Sequence, residues 1–262
     1  MADKKDNLHL PRILCLHGGG TNIRIFKAQC RAIEPKLKAH FRFAYAEAPY
    51  ECTPGPDVVS VYASYGPFKR WLRWLPEHKE IDNQSALDDV RRVINAAKAD
   101  DDKLGATGPW VGILGFSQGA RLAASLLFQH QKRVEKLGVA KAGSTWKFAV
   151  LMAGRAPLVC LEPEIFKSSM LSNPSDIGLA GPPDLMDAMG EDHVLKLPTL
   201  HVHGLYDPGL HMHRELLDYC DGDTVRILEW GGGHRVPLKD TDVIPLVDHI
   251  LEMAEETGAL LQ

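Results

Sequence analysis

Apolar residues cluster along this chain in six short runs, residues 13–16, 41–46, 110–116, 148–152, 200–204 and 225–229. Within each run the pattern is near-continuous rather than alternating, as strands buried on both faces of a parallel sheet require. Helical patterns fill the intervals. Leu87, Val90, Val93, Ile94 and Ala97 share one helical face behind Ser85-Ala-Leu-Asp88, which reads as a capping box. Residues 119–128 are small and apolar nearly all round, which predicts a buried helix. Thr241 or Asp242 would cap a last helix that turns Ile244, Val247, Ile250 and Leu251 to the core. Strands alternating with helices predict an α/β protein, a mostly parallel sheet flanked by helices.

Two segments break the alternation. Residues 48–84 are rich in proline, glycine and aromatics, and residues 155–198 contain Pro174, Gly181, Pro182 and Pro183. Each leaves the sheet after a strand's C-terminal end, where open α/β sheets bind ligands. Long irregular insertions there predict pocket walls or lids. With 262 residues the chain suits one domain, 1–262, carrying both insertions.

Composition narrows the partners. A formal net charge of −4 gives no electrostatic footprint for nucleic acid. No apolar stretch is long enough to cross a bilayer, and Met-Ala-Asp-Lys-Lys-Asp-Asn at the start lacks the apolar core of a secretory signal. Five scattered cysteines without a Cys-x-x-Cys pair fit free thiols in a reducing compartment. The expectation is a cytoplasmic protein that binds neither nucleic acid nor membrane.

The strongest chemical signal is Gly115-Phe116-Ser117-Gln118-Gly119, between an apolar run and the small-residue helix. Strand, turn and helix around G-x-S-x-G predict a nucleophile elbow and with it the α/β-hydrolase fold. Cys15-Leu-His-Gly-Gly-Gly20 closes the first run, where that fold places the second oxyanion donor. The expected donors are the backbone N–H groups of Gln118 and Gly19, with Gly20 the weaker candidate and His17 a structural loop residue. The remaining partners must follow in the order acid, then histidine. Asp207 lies just past the fifth run and His234 in the loop after the sixth, both at the edge where the serine emerges. Together, Ser117, Asp207 and His234 predict nucleophile, orienting acid and general base.

A rival constellation, His201, His203, Asp207, His211 and His213, has His-x-His spacing that suits a metal. It lacks an accompanying acid cluster, and His211 and His213 would diverge on a helix. No metal or cofactor is expected. Phe68, Trp71 and Trp74 recur every third residue, which would form one helical stripe and, with Tyr65, a substrate wall. A plain core-packing role fits the stripe equally well. Lys69, Arg70 and Arg73 would then be solvated charges, or would face an acidic carrier protein or a phosphopantetheine phosphate.

Beyond these separate signals, the chain resembles the fungal serine-hydrolase family often named FSH, which includes trans-acting polyketide thioesterases. The resemblance runs nearly end to end and rests on Arg12-Ile-Leu-Cys-Leu-His-Gly18, Ile25-Phe-Lys-Ala-Gln29, Gly115-Phe-Ser-Gln-Gly-Ala120, His201-Val-His-Gly-Leu-Tyr-Asp-Pro208 and Gly233-His-Arg-Val-Pro237. It implies hydrolysis of a carboxylic ester or acyl-thioester. It also implies, as in some relatives, release of a polyketide chain from an acyl-carrier protein or polyketide synthase, by hydrolysis or lactonisation. A general short- to medium-chain carboxylesterase stays open, as do a metal-dependent hydrolase and a binding protein that has kept the fold.

Overall fold

Each of the six runs becomes a strand, within one residue at either end. The computed structural model describes residues 7–55, 58–177 and 190–260. In chain order the elements are β1 (Arg12–Leu16), α1 (Ile23–Gln29), α2 (Glu34–Leu37), β2 (Arg42–Ala46), β3 (Tyr50–Cys52), α3 (Val59–Tyr62), β4 (Phe68–Arg70), α4 (Asn83–Lys103), β5 (Trp110–Phe116), α5 (Gln118–Leu137), β6 (Phe148–Met152), β7 (Thr199–Gly204), α6 (Leu210–Glu215), β8 (Val225–Trp230) and α7 (Asp240–Glu256).

The main sheet has the order β2-β1-β5-β6-β7-β8, and every neighbouring pair in it is parallel. Successive side chains of a strand point to opposite faces, so each strand feeds two cores. Leu14 and Leu16 join the layer under α4 and α5, with Leu87, Val90 and Leu122. Ile13 and Cys15 join the opposite layer under α1 and α7, with Phe26, Leu246 and Ile250. This three-layer arrangement is the α/β-hydrolase fold. Strand order reverses between β1 and β5, a crevice where such sheets bind ligands. The two edge strands depart from the expected burial: β2 is only partly buried at Arg42, Phe43 and Tyr45, and β8 alternates, with Ile227 exposed.

Helix ends differ in detail from the sequence reading. The N-cap of α4 is Asp82, whose carboxylate accepts the Ser85 N–H at 2.9 Å. Ser85 therefore sits inside the first turn and is no capping-box serine. Helix α7 starts at Asp240 after Lys239, ahead of the expected Thr241 or Asp242. Its first turn carries Asp240 and Asp242, which suit the positive end of the helix dipole. Val247 and Ile250 face the core as expected, joined by Val243 and Leu246, whereas Ile244 is exposed (48%). Leu251 is only partly buried.

The aromatic segment is no helix. Phe68 lies in β4, which pairs antiparallel with β3 through Glu51 and Lys69. The backbone of Lys69 is spent on the glycine loop after β1: it donates to Thr21 O at 2.7 Å and accepts from Gly20 N at 2.9 Å. Those bonds hold the segment extended, and three-residue spacing in an extended chain builds no stripe. Arg70 is buried under the Tyr50 ring rather than solvated, while Lys69 and Arg73 pair with Glu51 and Glu80. In the second irregular segment, Gly181, Pro182 and Pro183 lie outside the described residues, but Leu158, Val159 and Leu195 pack into the α5 side of the core. Among the described residues, no helix is long and apolar enough to cross a membrane.

Candidate active site

Ser117 stands alone between β5 and α5 with φ 53° and ψ −117°, a conformation that side-chain-bearing residues avoid. Such a residue typically costs on the order of 1–3 kcal/mol and persists only where its surroundings fix it. Here the Ser117 N–H donates to Met152 O at 2.8 Å, and the first turn of α5 closes on the Ser117 carbonyl. The flanking glycines are required by space: a Cβ on Gly115 would strike the Gly119 carbonyl, and one on Gly119 the Leu16 carbonyl. The close approach of α5 to β1 and β5 lifts the serine hydroxyl above the C-terminal edge of the sheet.

Two edge-strand loops meet that hydroxyl. His234 Nε2 lies 3.0 Å from Ser117 Oγ, and His234 Nδ1 lies 2.7 Å from Asp207 Oδ2. With Nδ1 protonated toward the carboxylate, Nε2 accepts from the serine. The loops are laced together: Leu205 N–H donates to Trp230 O at 2.9 Å and Tyr206 N–H to Gly232 O at 2.8 Å. The Phe116 ring, 5.0 Å between centroids, packs on the His234 imidazole. Burial pushes the Asp207 carboxyl up, but hydrogen bonds from His234 and the Gly209 N–H, with charge from His234 and His213, hold it below its ordinary value. Asp207 is ionised at neutral pH.

The glycine loop after β1 forms the opposite wall. A Cβ on Gly18 would sit 3.4 Å from Ser117 Cβ. His17 is fully buried and works within the loop: Nδ1 lies 2.8 Å from Gly18 O, and Nε2 lies 3.1 Å from Ala48 N and 2.9 Å from Glu47 Oε1. The Gly20 N–H is committed to Lys69 O, which removes it as an oxyanion donor. A function that the sequence reading missed belongs to the Gln118 side chain, which bonds the backbone of Trp71 and Leu72.

Above Ser117 opens a cavity of about 680 Å³, whose wall includes Gly19, Val58, Tyr62, Trp74, Met212 and Val236. The structure places the predicted substrate residues elsewhere. Trp71 is fully buried and donates from its indole to His17 O at 2.8 Å. Tyr65 stacks under Arg24, and Phe68 lies on the hairpin. Of the aromatic stripe, only Trp74 reaches the cavity. The expected histidine cluster is also rearranged. His201, His203, His213 and His234 form a row with ring centroids 5.8–6.1 Å apart. Burial pushes His213 down to about 4 and His201 down to about 3, so both are neutral at pH 7. Among the described residues, the one group whose donor atoms converge within 4.8 Å is Asp207, His213 and His234. An ion there would take over atoms already joined in the Asp207–His234 hydrogen bond.

Comparison with known proteins identifies the chain's relatives. The chain is 54% identical to an esterase of Pestalotiopsis microspora, GME11355, over 97% of this chain and 95% of that one. It is 52% identical to the probable esterase tazC of Aspergillus terreus, over 96% and 95%. It is also 52% identical to the esterase pigG of Monascus ruber, over 97% and 94%. Among solved structures, Arabidopsis thaliana SOBER1 superposes with a TM-score of 0.50 at 21% identity, over 93% of this chain and 98% of that one, a likeness of fold. A model of the family described as Serine hydrolase (FSH1) matches residues 7–245, so the chain belongs to this family of serine hydrolases and is an ester-cleaving enzyme of the α/β-hydrolase fold.

Proposed function

We propose that this enzyme cleaves an acyl ester or thioester through Ser117, His234 and Asp207, and that its substrate is a polyketide-type acyl chain delivered by an acyl-carrier protein. The observation that carries the reading is the continuous proton path, Ser117 Oγ to His234 Nε2 at 3.0 Å and His234 Nδ1 to Asp207 at 2.7 Å, beneath the cavity. His234 takes the serine proton as Oγ bonds to the carbonyl carbon, and Asp207 stabilises the imidazolium. The tetrahedral oxyanion is received by the backbone N–H groups of Gln118 and Gly19, each donor worth roughly 3–4 kcal/mol of barrier. The imidazolium returns its proton to the departing alcohol or thiol. Water, or a hydroxyl of the same acyl chain, then attacks the acyl-enzyme and gives acid or lactone.

Support for a large acyl group comes from cavity volume, since about 680 Å³ lies in the range of sites that enclose whole small molecules. The carrier-bound polyketide follows from the family resemblance. Cytoplasmic action fits the five thiols, all free. The test is fluorophosphonate labelling of wild type and Ser117→Ala, alongside turnover of acyl-N-acetylcysteamine thioesters and matched p-nitrophenyl esters with and without EDTA. Expected are labelling lost in Ser117→Ala, EDTA-insensitive turnover and faster thioester cleavage. Labelling that survives Ser117→Ala, or activity abolished by EDTA, overturns the mechanism. Uniformly faster oxyester cleavage favours the general carboxylesterase.

A further inference from the structure

Four arginines line the cavity without an ion pair among the described residues; Arg31 and Arg235 are exposed, whereas Arg121 is buried and Arg155 half-buried. Arg121 lies one helical turn beyond Ser117 on α5, its backbone N–H bonded to the serine carbonyl at 3.1 Å, and the residue is 4% exposed. Its Nε donates to Pro157 O and its Nη2 to Ser172 Oγ, each at 2.7 Å, and both acceptors are neutral. Nη1 has no hydrogen-bond partner among the described residues. Arg155, three residues past β6, reaches only the Met212 sulfur, at 4.0 Å from Nη1. Both side chains face the same cavity as Ser117 and His234. Neither forms an ion pair among the described residues.

A guanidinium withdrawn from water is ordinarily matched by an anion, because its desolvation is otherwise uncompensated. Among the described residues no ion pair supplies one: Asp176 acts on Arg121 only from beyond ion-pair distance, and a second cation, Arg155, stands nearby. Burial, and then repulsion from Arg155, push Arg121 down to about 10, and burial also lowers Arg155. Both remain charged at neutral pH. A planar, forked donor with one open nitrogen suits a carboxylate or similar oxyanion. Packing constrains which end of the substrate brings that anion. Arg121, in the first turn of α5, is buried against Pro157 and Ser172, whereas a leaving group attached to a carrier protein must stay in contact with solvent.

We infer that Arg121 and Arg155 form a subsite for an anionic oxygen on the acyl group, a carboxylate or an ionised enol or phenol, one helical turn from the nucleophile. The inference rests on the serine-hydrolase mechanism proposed above and specifies its substrate class: acyl chains that carry a negative charge.

The test compares kcat/KM for p-nitrophenyl hydrogen glutarate with that for neutral p-nitrophenyl pentanoate, in wild type, Arg155→Met, Arg121→Lys and Arg121→Met. Using the ratio cancels a general loss of competence in a destabilised variant. Should Arg121→Met not fold, Arg155→Met still decides. A charge-assisted hydrogen bond predicts a fall in the glutarate-to-pentanoate ratio of about 30-fold in Arg155→Met, with a smaller fall in Arg121→Lys, which keeps the charge but loses the fork. A parallel arm compares pentanoyl-phosphopantetheine with pentanoyl-N-acetylcysteamine, and there the ratio should stay fixed. A glutarate ratio within about threefold of wild type in Arg155→Met overturns the subsite, because a lost charge-assisted bond is worth more than that. So does an effect confined to the phosphopantetheine arm, which would place the anion on the leaving group. Wild type that hydrolyses neither ester fails the underlying mechanism, and the subsite falls with it. Wild type that cleaves both with an unmoved ratio overturns the subsite alone.

Discussion

The Gln118 side chain holds the backbone of Trp71, its Oε1 accepting the Trp71 N–H at 2.7 Å. The same oxygen accepts from Leu72 N at 3.1 Å, and Nε2 donates to Leu72 O at 3.0 Å. The residue after Ser117 therefore anchors the segment that carries Trp74 over the cavity. Gln118→Ala keeps the backbone N–H but strands two amide donors. About 2 kcal/mol of stability should be lost, roughly 5 °C in melting temperature, together with a raised KM. Differential scanning fluorimetry checks this, and an unchanged melting point refutes the anchor.

Ser117 holds a strained backbone, with φ 53°. Ser117→Ala and Ser117→Gly should both lose activity by on the order of 10^6-fold. They should differ in stability, because glycine tolerates φ 53° and alanine does not. After allowance for glycine's extra unfolded-state entropy, Ser117→Gly should exceed Ser117→Ala by about 1 kcal/mol in urea titration. Equal midpoints would mean that the turn is unstrained.

Acid should destabilise the protein through its buried histidines. His213 and His201 take a proton at the ordinary 6.5 when unfolded but resist until about 4 and about 3 when folded. The unfolded chain thus binds more protons below pH 6.5, and stability falls as pH drops. Each histidine contributes a slope of roughly 1.4 kcal/mol per pH unit across that window, levelling below its folded value. His213→Gln should flatten the slope between pH 6.5 and 4 by one proton's worth, measured by urea unfolding at several pH values. A slope identical to wild type would show that the imidazole titrates normally.

Trp74 should set acyl size. A Cβ on Gly19 would lie 2.8 Å from the Trp74 ring, so this indole closes the cavity directly over the glycine loop. Trp74→Ala should raise kcat/KM for p-nitrophenyl decanoate relative to butyrate by about 10-fold. Gly19→Ala, which pushes the ring inward, should move the ratio the other way. Parallel chain-length profiles in all three proteins would sink the assignment.

The sheet was legible because parallel central strands are wet on neither face, so their sequences are unbroken apolar runs that need no partner to be recognised. The positions of Ser117, Asp207 and His234 were legible because strand ends locate them even when helices are misjudged. The cavity wall was not. Phe68, Trp71 and Trp74 have a helical period, yet Lys69 is bonded through its backbone to Thr21 and Gly20, a long-range pairing that no local pattern reveals. Arg121 sits in a run of small apolar residues whose burial is evident, but whether a buried arginine finds a counter-charge depends on residues distant in sequence. The Asp82 cap was overlooked for a simpler reason: Ser85 offered a rival cap three residues on, and both types cap equally well.

Leu205 and Tyr206 fasten the Asp207 loop to the His234 loop, while Trp74 follows a hairpin that Lys69 ties to the glycine loop beside Ser117. The cavity wall and the serine turn are thereby joined into one framework through Gln118. A substitution that shifts the segment carrying Trp74 should therefore be felt at Ser117 as well, so that a change in which acyl chains enter should come with a change in turnover.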